Sequence, residues 1–177
     1  YIKKCLMSND QIEIKPSEFW SDDEWYKDQN KRNLIKNDGW LVINEGKAEG
    51  TILGGNLCTF NLLQGTEYMP DLDSSILFLE DDYLSNPETF DRDLQSLIHL
   101  PDFNKVKGIV IGRFQNKSGV INNLLTQIIK TKKELNNVPV IANVDFGHTD
   151  PKVTLPIGGA VELDINSTKS NITILEH

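Results

Sequence analysis

Apolar and polar residues follow two repeating patterns that together predict a sheet flanked by helices. Three short, nearly continuous apolar runs, at 76–79, 106–111 and 138–144, are typical of strands buried on both faces. Between these runs, apolar residues recur every three or four positions, which predicts two amphipathic helices. Their apolar positions are Phe90, Leu94, Leu97 and Ile98, then Ile121, Leu124, Leu125, Ile128, Ile129 and Leu135. Alternating strands and helices predict an α/β fold with a mostly parallel sheet.

Added β-hairpins are predicted on both sides of this core. Residues 160–164 and 171–175 alternate apolar and polar positions, which predicts a terminal hairpin with one face in water. Residues 40–44 and 51–53 are predicted to pair across a glycine-marked turn. The sequence Gly54-Gly55-Asn56 then predicts a turn into a helix. Two interpretations remain open: the glycines let the backbone approach a ligand closely, which makes Gly55 a candidate ligand-binding residue, or they only supply the positive φ of the turn.

Residues 1–39 are predicted to form an N-terminal arm or linker before a main domain at 40–177. Ser17 followed by several acids is typical of a helix start. An aromatic cluster lies in the same segment and consists of Phe19, Trp20, Trp25 and Tyr26. Two interpretations remain open: burial of these rings pins the arm to the main domain, or one ring stacks on a planar ligand.

Composition excludes several classes of protein. The net charge of −8 and the pI of 4.9 argue against a nucleic-acid partner. No apolar run reaches the roughly 20 residues of a membrane helix. Cys5 and Cys58 are far apart and outside any CxxC spacing, which indicates reduced thiols in a cytoplasmic protein without a structural disulfide or zinc site. The absence of an initiator methionine fits a fragment of a larger protein.

Two titratable side chains are placed where the predicted strands end. Glu80 follows the run at 76–79, and His148 lies in a loop after the run at 138–144. Because the carboxyl ends of parallel strands meet at one edge of a sheet, we expect Glu80 and His148 on the same edge. A carboxylate beside an imidazole is half of a hydrolytic triad. No G-x-S-x-G motif supplies a serine, so the chain holds a predicted acid and base without a nucleophile.

Other polar residues near this edge have predicted roles. Arg92 could reach back to the acids at 80–82, and His99 is interpreted as a structural residue at a helix end. A metal site built from Asp145, His148 and Asp150 is a weaker alternative, because a single histidine and two exposed acids bind divalent ions poorly. We therefore expect neither a metal nor a cofactor.

Four sequence motifs, in this order, resemble a known family. They are Gly39-Trp40 with Gly46-Lys47-Ala48-Glu49-Gly50, then Gly54-Gly55-Asn56-Leu57, then Leu77-Phe78-Leu79-Glu80-Asp81, and finally Gly147-His148-Thr149-Asp150-Pro151 with Leu155-Pro156-Ile157-Gly158. With these motifs the chain resembles the C-terminal domain of the serine peptidase family of LD-carboxypeptidases and the microcin C immunity protein. The resemblance implies the swivelling β/β/α-type domain of LD-carboxypeptidases.

The resemblance also implies roles for individual residues. It implies a Ser-Glu-His triad in which Glu80 is the acid and His148 the base, with Asp81 as the rival acid. The serine would lie in an N-terminal domain that is absent here, so the isolated chain is expected to be inactive. Trp20 or Trp25 would stack on a nucleotide base, and Asn56 would lie near the substrate.

Three functions remain open. The first is hydrolysis of the amide that joins an acidic aminoacyl or peptidyl group to a nucleotide, as in microcin C self-immunity. The second is an LD-carboxypeptidase of murein peptide recycling. The third is a non-catalytic module in which Trp20, Gly54-Gly55-Asn56 and Arg113 hold a nucleotide or peptide. Expected partners are the substrate, the chain's own N-terminal domain and a second copy in a homodimer, with no nucleic acid and no membrane.

Overall fold

The structure is a computed structural model that describes residues 1–24 and 26–177. The described strands are β1 (Ile12–Ile14), β2 (Phe19–Trp20), β3 (Ile35–Lys36), β4 (Leu41–Asn44), β5 (Gly46–Asn56), β6 (Ser75–Glu80), β7 (Gly108–Gly112), β8 (Val140–Val144), β9 (Ala160–Ile165) and β10 (Asn171–Glu176). The described α-helices are α1 (Ile2–Met7), α2 (Leu57–Asn61), α3 (Pro87–Ile98) and α4 (Asn122–Thr131). Short 3₁₀ turns lie at Phe103–Lys105, Asn116–Ser118 and Lys133–Leu135.

An eight-stranded sheet organises the molecule, and its strand order is β1-β10-β9-β5-β6-β7-β8-β4. Neighbours from β5 to β8 are parallel, whereas the pairs outside this block are antiparallel. The α/β fold and the terminal hairpin of β9 and β10 are therefore confirmed. Strand β6 is buried along its whole length, as its continuous apolar run predicts.

The two faces of the sheet are covered differently. On β6, Leu77 and Leu79 face a core shared with α2, α3 and α4, while Ile76 and Phe78 face the opposite core. That second core is completed by the inward residues of β1, β9 and β10, among them Ile14, Val161, Leu163, Ile172 and Ile174. Helices α2, α3 and α4 thus cover one face, while the core on the other face includes residues of β1, β9 and β10 and Cys5 of α1.

The predicted hairpin between residues 40–44 and 51–53 is wrong. Strand β4 pairs with β8 at one edge of the sheet, and β5 lies between β6 and β9. The predicted turn continues the strand instead, because Ala48 and Gly50 pair with Leu163 and Val161 of β9. Gly54-Gly55-Asn56 also belongs to β5 rather than to a turn, and α2 begins directly after it.

The N-terminal segment is tied into the body by backbone pairing. Strand β1 pairs with β10 at the edge of the main sheet, whereas β2 and β3 form a separate two-stranded sheet. The predicted helix start at Ser17 is wrong, because the Ser17 N–H donates to Asp145 Oδ2 at 2.7 Å and an extended segment follows. The boundary at residue 39 between arm and main domain stays a prediction.

Within residues 1–24 and 26–177, every helix is too short or too polar to cross a bilayer.

Candidate active site

Glu80 is placed at the carboxyl edge of the sheet by β6. It is the last residue of that strand and is only 8% exposed. The neighbouring strands β5 and β7 flank it, and Asn56 at the end of β5 lies opposite Glu80 in the parallel register. A carboxylate this deeply buried is costly unless it has a partner.

His148 reaches Glu80 from the loop after β8. The preceding Gly147 has φ of +93°, a conformation that side chains with a Cβ rarely adopt. A Cβ at Gly147 would lie 2.5 Å from Glu80 Oε2, so the loop backbone passes directly against the carboxylate. Glycine at this position therefore lets the loop place its histidine beside Glu80.

The imidazole and the carboxylate form a direct hydrogen bond. His148 Nδ1 lies 2.6 Å from Glu80 Oε2. Since a carboxylate oxygen only accepts, Nδ1 carries the proton of this bond, and in the neutral imidazole Nε2 then carries the lone pair. The His148 side chain is 45% exposed, and among the described residues none hydrogen bonds to Nε2. Glu80 thus orients a base whose second nitrogen can receive a proton.

The N-terminal segment holds the loop that carries His148. Ser21 and Asp150 exchange two backbone hydrogen bonds of 2.8 Å each. Arg32 Nη2 also donates to Asp150 Oδ2 at 2.9 Å. The loop just after His148 is therefore held at Asp150 by residues far away in the sequence.

A second acid–base pair lies at the same edge, between Arg113 and Asp145. Arg113 Nη2 is 3.5 Å from Asp145 Oδ1 and 2.8 Å from Asn37 Oδ1. Burial lowers the pKa of Arg113, an effect that Asp145 opposes. The guanidinium also lies 4.9 Å from the centre of the Trp20 ring.

Trp20, one of the two predicted stacking residues, does not share the cavity of His148. Trp20 lines a cavity of about 470 Å³ with Arg113 and Trp40, and Arg113 covers one face of its ring. Trp25 lies outside the described residues. Asn56 does lie with His148, in a different cavity of about 500 Å³. The structure thus brings Glu80, His148 and Asn56 together and places Trp20 elsewhere on this edge.

Asn56 and Gly55 mark the point where β5 passes into α2. The Asn56 side chain caps α2 by accepting from Thr59 N at 2.9 Å, and it donates to Asp81 Oδ1 at 3.0 Å. Gly55 has φ of +146°, and a Cβ there would meet open space. Gly55 therefore serves the backbone conformation beside the site.

Several further residues of the Asn56–His148 cavity were not predicted from the sequence, among them Ser85 and Cys58. Asp81, the rival acid, faces Asn56 and the Asp82 N–H rather than His148. The three consecutive acids at the end of β6 were the available signal for a charged cavity.

Arg92 and His99, both at helix α3, have partners within that helix. The suggestion that Arg92 reaches the acids at 80–82 is wrong, because its guanidinium lies against Thr89 on the same helix. His99 caps the end of α3 and contacts Gln95, as its structural interpretation requires.

The residues of the alternative metal site have separate partners. Asp145 faces Ser17 and Arg113, while Asp150 faces Arg32 and Lys152. In the described part of the chain, no group of three or more histidine, cysteine or acidic residues could hold a metal ion.

Comparison with known families identifies the domain in which Glu80 and His148 lie. The family model described as the LD-carboxypeptidase C-terminal domain matches residues 49–163, which include β5, β6, β8 and the His148 loop. The chain belongs to this family.

The similarity to individual relatives extends beyond residues 49–163, the region that the family model matches. The chain is 54% identical over 177 residues to the putative carboxypeptidase YocD of Bacillus subtilis, covering 100% of this chain and 54% of that protein. It is 35% identical over 170 residues to the microcin C7 self-immunity protein MccF of Escherichia coli, covering 90% of this chain and 47% of MccF. The chain thus spans about half the length of the curated relatives it matches.

Solved structures agree with this fold. The crystal structure of an MccF-like protein from Bacillus anthracis matches with a TM-score of 0.97 and 50% identity, covering 100% of this chain and 55% of that one. A structure of MccF in complex with glutamyl sulfamoyl guanosine matches with a TM-score of 0.75 and 30% identity, covering 94% of this chain and 50% of that one.

Proposed function

We propose that this chain is the acid-and-base half of a serine hydrolase, with His148 as general base and Glu80 as the residue that orients it. The observation that carries the proposal is the 2.6 Å hydrogen bond between His148 Nδ1 and Glu80 Oε2, beside an Nε2 to which no described residue hydrogen bonds. The attacking serine would come from the part of the protein that its relatives have beyond this chain's span. The chain by itself is then expected to be inactive.

The reaction follows from the protonation state of the imidazole. Nε2 takes the serine proton as the serine oxygen bonds to the carbonyl carbon of the substrate. Glu80 stabilises the imidazolium that results. His148 then donates this proton to the leaving nitrogen as the C–N bond breaks. Water, deprotonated by His148 in turn, hydrolyses the acyl-serine ester and restores the serine.

The substrate we propose is an amide that joins an aminoacyl or peptidyl group to a nucleotide. MccF, which binds glutamyl sulfamoyl guanosine in one solved structure, supports this choice. On this reading Trp20 is the residue that stacks on the base, while Asn56 and Gly55 lie beside the reacting group. A homodimer stays a prediction implied by the resemblance.

A second substrate class has its own support. The matching family model describes LD-carboxypeptidases, and YocD is a putative carboxypeptidase. An amide between an L- and a D-amino acid would pass through the same steps at His148. The two classes differ in the leaving group, which is a D-amino acid in one class and a nucleotide with a planar base in the other.

Hydrolysis by the full-length protein tests the proposal. Glutamyl sulfamoyl guanosine and an LD-dipeptide are incubated with the full-length enzyme, and product release is followed by chromatography. We expect turnover of at least one substrate, and a fall on the order of 10⁴-fold or more in kcat for His148→Ala. His99→Ala, which removes a histidine at the end of α3, is the matched control and should leave turnover unchanged. No turnover of either substrate, or wild-type turnover by His148→Ala, would overturn the proposal.

A further inference from the structure

The cavity beside His148 contains polar atoms that have no partner within the described residues. Its volume is about 500 Å³, and Asp81 and Ser85 line it together with Asn56 and His148. These two residues are almost completely buried, at 3% exposed for Asp81 and 4% for Ser85. They take no part in the proposed proton transfer.

Among the described residues, only one of the two carboxylate oxygens of Asp81 has a hydrogen-bond partner. Its Oδ1 accepts from Asn56 Nδ2 and from the Asp82 N–H, at 3.0 Å each. Its Oδ2 is buried and accepts from no described residue, and the same is true of the Ser85 hydroxyl. Buried polar atoms without a partner cost free energy, so two of them lining one cavity indicate that a ligand supplies donors.

The negative charge of the cavity favours a ligand whose hydrogen-bond donor is positively charged. Asp81 and Asp82 both line it, whereas its described lining residues include neither lysine nor arginine. The negative field extends to neighbouring groups. The pKa of the Cys58 thiol is raised by burial and by Asp93, Asp81 and Asp82, and the pKa of Asp93 is raised by burial and by Asp81. A cation is favoured here, and a carboxylate is repelled.

We infer that this cavity binds a primary ammonium group of the substrate, with Asp81 Oδ2 and Ser85 Oγ as acceptors. The inference rests on the proposed function, since it places the amine next to the amide that His148 would attack. An ammonium has three donors and suits two acceptors plus water better than a metal ion, which needs more ligands. Asp81 and Ser85 would then be specificity-determining residues.

The ammonium could be the α-amino group or a side-chain amino group of the acyl residue. Both sources are tested with L-lysyl-D-alanine and with lysyl sulfamoyl adenosine. Each compound is prepared unmodified, Nα-acetylated, Nε-acetylated and acetylated at both nitrogens. Affinity is measured by titration calorimetry with full-length protein carrying His148→Ala, and kcat/KM is measured with the wild type.

We expect one acetylation to weaken binding and lower kcat/KM by about 10- to 100-fold, the size of a charge-assisted hydrogen bond. The nitrogen whose acetylation does so identifies the source of the ammonium. In the calorimetric background, Asp81→Asn should reduce that preference to within about threefold, and Ser85→Ala should reduce it in part. Because the preference is a ratio within one variant, an overall loss of stability does not imitate this result.

Glu88→Gln is the matched control. It removes one negative charge from the start of α3, at a side chain outside this cavity, and should leave the preference intact. Turnover without any preference for a free amine would overturn this inference and leave the proposed function standing. A preference that survives Asp81→Asn would overturn it as well. Amine-selective binding without turnover would support the inference while the proposed function fails.

Discussion

Two acid–base pairs lie at the same edge of the sheet and differ in how much of the base is free. Glu80 and His148 form a 2.6 Å hydrogen bond in which the imidazole is 45% exposed. Asp145 and Arg113 are 3.5 Å apart, and their side chains are only 3% and 8% exposed. Arg113 Nη2 also donates to Asn37 and to the backbone oxygen of Asn143.

This difference separates a group that can react from one that holds the structure. The fixed charge of Arg113 binds the segment around Asn37 to the ends of β7 and β8, and an arginine does not exchange protons near neutral pH. Among the residues that the structure describes, His148 is anchored through Nδ1 alone, and its other nitrogen is directed away from Glu80. The comparison predicts that damage to the first pair mainly lowers stability, whereas damage to the second mainly lowers turnover.

Arg113→Met is expected to have the largest effect on stability. Removing the guanidinium leaves Asp145 buried without its charged partner, which typically costs about 3–5 kcal/mol of the free energy of unfolding. Chemical denaturation of the full-length protein measures it. Arg92→Met, which alters an exposed arginine on α3, is the control and should change stability by less than about 0.5 kcal/mol. Equal effects of the two variants would contradict the structural role of Arg113.

Gly147→Ala tests the second pair through the backbone. The substitution adds the strain of a positive φ, about 1–2 kcal/mol, and a Cβ that meets Glu80 Oε2. We expect this loss of stability together with at least a tenfold fall in kcat, measured on full-length protein.

Gly158→Ala is the matched control for that variant. Gly158 has a similar φ of +90°, but a Cβ there would meet open space. It should share the loss of stability and keep its turnover. A similar fall in kcat for both variants would show that strain, rather than displacement of Glu80, is responsible.

The smallest expected effect concerns Asp93, near the acidic cavity. Burial and then Asp81 raise the pKa of Asp93 in the folded state above its ordinary value of 3.8. The favourable contribution of its protonated form is complete below pH 3.8 and is lost as pH rises through the folded-state pKa. Asp93→Asn should therefore stabilise the protein at pH 7 by a few tenths of a kcal/mol and make no difference at pH 3. Thermal unfolding at both pH values measures this, and a stabilisation that is larger at pH 3 would contradict the sign.

The sequence was sufficient to predict the parts of the fold that are set by local pattern. The continuous apolar runs identified β6, β7 and β8, and their parallel order placed Glu80 and His148 at one edge. The pairing of β1 with β10 and of β4 with β8 depends on partners more than 90 residues away. Periodicity carries no information on such partners, which is why the hairpin at 40–53 was wrong.

Side-chain direction limited the prediction of the site. Three consecutive acids at 80–82 predicted negative charge at the end of β6. The pattern could not show that Glu80 faces His148 while Asp81 faces Asn56. The same limit applies to Arg92, whose helix position allowed a contact with the acids that the structure does not contain. The role of Ser85 depends on its burial in a cavity formed by several distant segments.

The most direct test of the account is the kcat of full-length protein carrying Glu80→Gln. A glutamine amide facing Nδ1 would remove the carboxylate and favour the wrong imidazole tautomer, so the account predicts a fall of about 10³- to 10⁴-fold in kcat with little change in stability. Turnover within threefold of the wild type would contradict the claim that Glu80 orients a catalytic His148.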